Sequence, residues 1–126
     1  DVHARLTLYK RIASARDEEA LRELQVEMVD RFGLLPEPAK QLFAATEIKL
    51  EGTRLGLRKI DLGGNGGRIT FLPKPNVDPM SLLRMIQSQP KVFSLDGPER
   101  LRVKMELPDA ASRLRTAKGL MAMLRS

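Results

Sequence analysis

The stretch LRKIDLGGNGGRITFL, residues 57–72, decides the fold. LRKIDL and RITFL are short runs rich in β-branched and aliphatic residues. GGNGG between them supplies the conformational freedom of a tight turn, so the pair reads as a β-hairpin. A phosphate-binding loop is the competing reading of GGNGGR. No GK[ST] follows it, and after Gly64 and Gly66 the third glycine position is held by Ile69. The segment also leads into a strand, so no helix N-terminus is offered to an anion.

Upstream of the hairpin the apolar period is helical. Val2, Leu6, Tyr9, Ile12 and Ala13 predict a first helix over 2–15. Asp17 is a candidate N-cap, and the acids that follow suit the positive end of a second helix reaching Phe32. Leu21, Leu24, Met28 and Phe32 form its expected buried stripe. Gly33 is expected to stop it, Leu34 and Leu35 to fold back on the core, and Pro36 and Pro38 to lead into a third helix. That helix spans 38–55, with Ala39, Leu42, Phe43, Thr46 and Leu50 inward. Gly52 weakens it by about 1 kcal/mol relative to alanine, and Gly56 is its expected cap.

Downstream, Asp78-Pro79 caps a helix that ends before Pro90. KVFSL (91–95), DGPE and RLRVKMEL (100–107) read as a second hairpin. Its last strand alternates, with Leu101, Val103, Met105 and Leu107 on one face and Arg100, Arg102, Lys104 and Glu106 on the other. Pro108-Asp109 opens a final helix with Ala110, Leu114, Ala117, Met121 and Leu124 inward. The order ααα-ββ-α-ββ-α predicts an α+β fold, a small antiparallel sheet with helices packed on one face. Residues 1–126 are expected to form a single domain. The first residue is Asp1, not Met, and the chain reads as a segment of a longer protein.

Composition narrows the chemistry. There is no cysteine, which excludes disulfides, thiolate metal sites and cysteine nucleophiles and fits a reducing cytoplasm. The one histidine, His3, lies at the chain end. No metal-ligand spacing, catalytic constellation or cofactor motif appears, so an enzyme is not expected in this segment. No apolar run approaches the roughly 20 residues of a membrane span.

The net charge of +6 hides an asymmetry. Residues 17–32 hold six acids, Asp17, Glu18, Glu19, Glu23, Glu27 and Asp30, against Arg22 and Arg31. On a helical wheel Glu19, Glu23, Glu27 and Asp30 lie opposite the buried stripe, with Val26 among them. This ridge is either a solvated face with helix pairs such as Glu27–Arg31, or a docking face for an arginine-rich surface, with Glu27 and Asp30 as the central carboxylates. Arg100, Arg102 and Lys104, with Arg58, Lys59 and Arg68 near the other hairpin, give a second candidate contact face. A small basic nucleic-acid-binding module is the alternative function it suggests.

Four phrases, RLTLYKRIASA (5–15), LQVEMVDRFGLLPEPA (24–39), LGLRKI (55–60) and FSLDGPERL (93–101), together resemble the C-terminal regulatory domain of the bacterial transcription-repair coupling factor family. The resemblance covers nearly the whole chain. It implies a terminal, non-catalytic domain of a cytoplasmic, ATP- and magnesium-dependent DNA translocase of the helicase type that displaces stalled RNA polymerase and recruits nucleotide excision repair. It implies docking on the parent's own N-terminal module, which resembles the B subunit of the excision nuclease. That docking would mask the surface that recruits the A subunit. The family's acidic contacts fall here on Glu27 and Asp30. RNA polymerase and the A subunit are then indirect partners, and direct DNA contact and membrane attachment are not expected.

Overall fold

The structure, a computed structural model, describes residues 2–125. Five helices and four strands follow in the expected order: α1 (Val2–Ala13), α2 (Glu18–Phe32), α3 (Glu37–Leu55), β1 (Leu57–Gly63), β2 (Gly66–Phe71), α4 (Pro79–Ser88), β3 (Phe93–Leu95), β4 (Arg100–Lys104) and α5 (Ala110–Arg125). They group into two compact units, the first reaching Leu50 and the second starting at Glu51. Helix α3 runs from the first into the second.

The first unit is helical. Asp17 caps α2, its side chain accepting from the Ala20 N–H at 2.8 Å. The stripe then buries Leu21, Leu24 and Met28 against Ile12 of α1 and Ala39 and Phe43 of α3. Each such side chain contributes about 1.5–3 kcal/mol of apolar burial. Gly33 ends α2 with φ 78, a left-handed conformation that suits glycine, and donates its N–H to the Val29 carbonyl.

Three expectations for this unit are corrected. Phe32 is 55% exposed: it is the last residue of α2, and the buried stripe of that helix ends at Met28. Its ring instead carries the Arg31 guanidinium, 5.4 Å from the centroid. Of the two leucines after the stop, only Leu35 turns inward, and Leu34 is 94% exposed. In α1 only Ile12 is fully buried, with Leu8 and Tyr9 partly so, while Val2, Leu6 and Ala13 face out.

The second unit is a four-stranded antiparallel sheet in the order β1-β2-β4-β3. The two hairpins meet through β2 and β4 at its centre. In the first hairpin Gly63 pairs with Gly66, which leaves Gly64 and Asn65 as the loop. The left-handed residue is Gly66, φ 103, and a Cβ there would lie 2.1 Å from the Val103 carbonyl oxygen of β4. Glycine is therefore required both by backbone conformation and by the approach of the neighbouring strand.

One sheet face is core. Ile69, Phe71, Phe93, Leu101 and Val103 are buried with Leu120, Met121 and Leu124 of α5 and Met85 of α4. Leu120 was not foreseen in the inward set, and Ala110 is exposed rather than inward. Helices α4 and α5 pack together, α4 against β3 and α5 against β1. The other face carries the alternate residues: Lys59 and Asp61 of β1, Arg68 and Thr70 of β2, Arg100, Arg102 and Lys104 of β4. A register shift between Leu57 and Lys59 breaks the simple alternation of β1. Glu51, in the last turns of α3, is buried but ion-paired to Arg125 of α5 at 2.8 Å.

Candidate functional site: the outer face of helix α2

The buried stripe of α2 fixes what the opposite side presents. At about 100° per residue, Val26, Glu19 and Asp30 lie directly away from the core, with Glu23 beside them. The structure leaves all four exposed, Val26 by 58%. Val29, 45% exposed, extends the apolar part of this surface. Glu19, Glu23 and Asp30 make no ion pair among the described residues. The result is a convex ridge of three uncompensated carboxylates around a small aliphatic centre.

Glu27 differs. It sits about 90° round from the centre of the stripe, on the flank that meets α1. Arg11 of α1 grips it through two hydrogen bonds, Nη1 to Oε2 at 2.7 Å and Nη2 to Oε1 at 3.2 Å. Arg31, one turn on, stands 4.0 Å away. The hydrogen bond from Arg11 holds the Glu27 carboxyl below the ordinary glutamate range, and the charges of Arg11 and Arg31 push the same way. Arg11 is in turn raised, first by that hydrogen bond. Glu27 is therefore a shared group, reachable from solvent at 40% side-chain exposure but already occupied from within the unit. Spacing within α2 pointed only to Arg31, because a pair sixteen residues apart depends on how two helices pack.

The second predicted set, Arg100, Arg102 and Lys104, lies in one row on the exposed face of β4. Among the described residues no group of three or more His, Cys, Asp and Glu is placed to hold a metal. None of the described helices is long and apolar enough to cross a membrane.

A family model described as the TRCF domain matches residues 1–82. The chain belongs to the TRCF domain family. The match takes in all of α1, α2 and α3, and so the whole acidic ridge. Over 98% of its length this TRCF chain is 41% identical to the transcription-repair-coupling factor of Escherichia coli (strain K12), and over 90% it is 43% identical to that of Haemophilus influenzae. It spans only 11% and 10% of those two relatives. In fold it matches the crystal structure of a C-terminal domain of transcription-repair coupling factor, with a TM-score of 0.64 at 17% identity over 98% of this chain and 83% of that one. The relatives that carry this domain are transcription-repair-coupling factors.

Proposed function

We propose that this domain is the autoinhibitory latch of a longer transcription-repair coupling factor. The outer face of α2 docks on the parent's N-terminal module, which resembles the B subunit of the excision nuclease. It occupies arginines there that the A subunit would otherwise use, so masking is competition for one basic surface. The parent is an ATP- and magnesium-dependent DNA translocase that displaces stalled RNA polymerase, and engagement with polymerase releases the latch. The segment itself contributes no catalytic group.

The exposed ridge of Glu19, Glu23 and Asp30 around Val26 carries this reading. Three carboxylates without internal partners favour an arginine-bearing mate electrostatically and orient its approach. Val26 and Val29 add a small apolar patch that a mate would bury. Glu27 joins by exchanging or sharing its guanidinium partner, since a carboxylate accepts from more than one donor. A releasable latch needs a coupling of about 1–3 kcal/mol, which suits a small, mainly charged contact.

The test is capture of the parent's N-terminal module by this chain, with and without Glu27→Arg and Asp30→Arg together. Capture by the wild-type chain and loss with the reversed one are expected. Equal capture by both, with the variant still folded by circular dichroism, would remove the acidic face from the interaction.

A further inference from the structure

The exposed face of the sheet belongs to the second unit, and the latch reading does not call on it. Five cations stand on it: Lys59, Arg68, Arg100, Arg102 and Lys104. Among the described residues two carboxylates pair with them. Asp61 lies 3.9 Å from Lys59, and Asp96 lies 3.3 Å from Arg68 Nε. Arg100, Arg102 and Lys104 form no ion pair among the described residues. Arg68 and Arg102 are direct cross-strand partners at the centre of the sheet. Like charges placed opposite one another on a sheet cost stability, and four-strand packing of the opposite face does not need them there. A bound polyanion removes that repulsion.

The shape of the face narrows the polyanion. Alternate residues of a strand stand about 6.6–6.8 Å apart, so β4 presents three cations in a straight, evenly spaced row. Gly66 and Gly67 open a shallow depression bordered by Arg68, Arg102 and Lys104. Among the described residues, the paired strand positions of this face hold no aromatic or large aliphatic side chain, since Ile69, Phe71, Leu101 and Val103 turn to the core and the exposed Leu72 and Leu95 lie at strand ends. A protein partner would find no apolar anchor here. A base would find no ring to stack on. A regularly repeating anion finds all it needs.

We infer that this face binds the phosphate backbone of duplex nucleic acid, without reading its sequence, through Arg100, Arg102 and Lys104 with Arg68 and Lys59 beside them. Asp96 tempers the site by holding Arg68. Phosphate contacts of this kind position a duplex and carry no base information. Their affinity falls with salt, with a log–log slope of about −0.9 per phosphate neutralised.

The experiment is fluorescence anisotropy of the whole chain against two labelled DNA duplexes of unrelated sequence, from about 50 to 200 mM salt. Both duplexes should bind alike. The Arg102→Gln, Lys104→Gln double variant should weaken binding at least tenfold at the low-salt end and flatten the salt slope by about 2. Asp96→Asn, which frees Arg68, should tighten binding at least twofold. Arg115→Gln with Lys118→Gln, an equal loss of charge at exposed positions of α5, should change binding less than threefold. No binding at low salt overturns the inference. So does an equal loss from the α5 control, which would make net charge the cause, or a preference between the duplexes. Displacement of the duplex by an equal charge concentration of polyglutamate would assign the face to an acidic protein instead. All variants alter exposed side chains, and far-ultraviolet circular dichroism confirms that each is folded.

Discussion

Replacing Asp30 by arginine separates docking from folding. Asp30 is exposed on the outer side of α2 and has no ion pair among the described residues, so Asp30→Arg removes nothing the isolated domain uses. Its unfolding free energy should stay within about 0.5 kcal/mol of wild type, the ordinary range for an open surface position. In the full-length factor the same change replaces attraction by repulsion at an arginine-rich mate. An exposed pair contributes about 0.2–1 kcal/mol, and reversal doubles the effect, to about 0.4–2 kcal/mol. With a tenfold change per 1.4 kcal/mol, A-subunit affinity for the resting parent should rise about 2- to 30-fold. Arg11→Gln should act with the opposite sign. It frees Glu27 from its 2.7 Å partner, leaves a stronger acidic face, tightens the latch and lowers A-subunit binding. Titration calorimetry of wild type, Asp30→Arg and Arg11→Gln parents against the A subunit reads both effects. A-subunit affinities within twofold of each other across the three parents, all folded, would refute the reasoning.

Other consequences follow from packing and protonation. Leu101→Ala empties a fully buried site between sheet and helices, and should cost about 2–5 kcal/mol in urea unfolding, a large part of a domain's total stability. Gly66→Ala forces a side chain against Val103 O at a positive φ, and should lower the melting temperature more than Gly119→Ala, where the added Cβ has no neighbour within 4 Å. Glu27 and Asp109 have depressed pKa values, the first through Arg11 and the second through the backbone N–H of Ser112. Each depression contributes stability that is present above the ordinary carboxylate range and is lost as pH falls through the folded-state value. Denaturant midpoints should therefore decline on acidification below about pH 4, and Glu27→Gln should shrink that decline without abolishing it.

Local signals in the chain carried much of this fold. The GGNGG hairpin, the Asp17 cap, the Gly33 stop and the alternation of β4 each rest on one or two residues and their immediate neighbours. The failures were all matters of how elements meet. Helical spacing put Phe32 in the α2 stripe, but spacing does not say how far along a helix the core reaches. The same limit applies to Val2 and Leu6, which keep an apolar period on a face that stays open. Leu34 and Leu35 are alike in sequence, and only the turn after Gly33 distinguishes the exposed one from the buried one. The β1-β2-β4-β3 order depends on which hairpin edges pair, and nothing local to either hairpin states it.

The candidate site divides in the same way. Glu19, Glu23, Val26 and Asp30 were legible because the buried side of one helix dictates its outer side. The capture of Glu27 by Arg11 was not, since it arises between helices. The row of Arg100, Arg102 and Lys104 follows from strand alternation alone. Its juxtaposition with Arg68 required the β2–β4 pairing.

The most direct measurement of the latch is a nuclear magnetic resonance titration of the isotope-labelled chain with the parent's unlabelled N-terminal module. The account predicts that the largest shifts fall on Glu19, Glu23, Val26, Glu27 and Asp30, with the Arg11 side chain moving as its carboxylate partner is contested. Shifts centred on the β4 row or the α1 face, with α2 undisturbed, would contradict it.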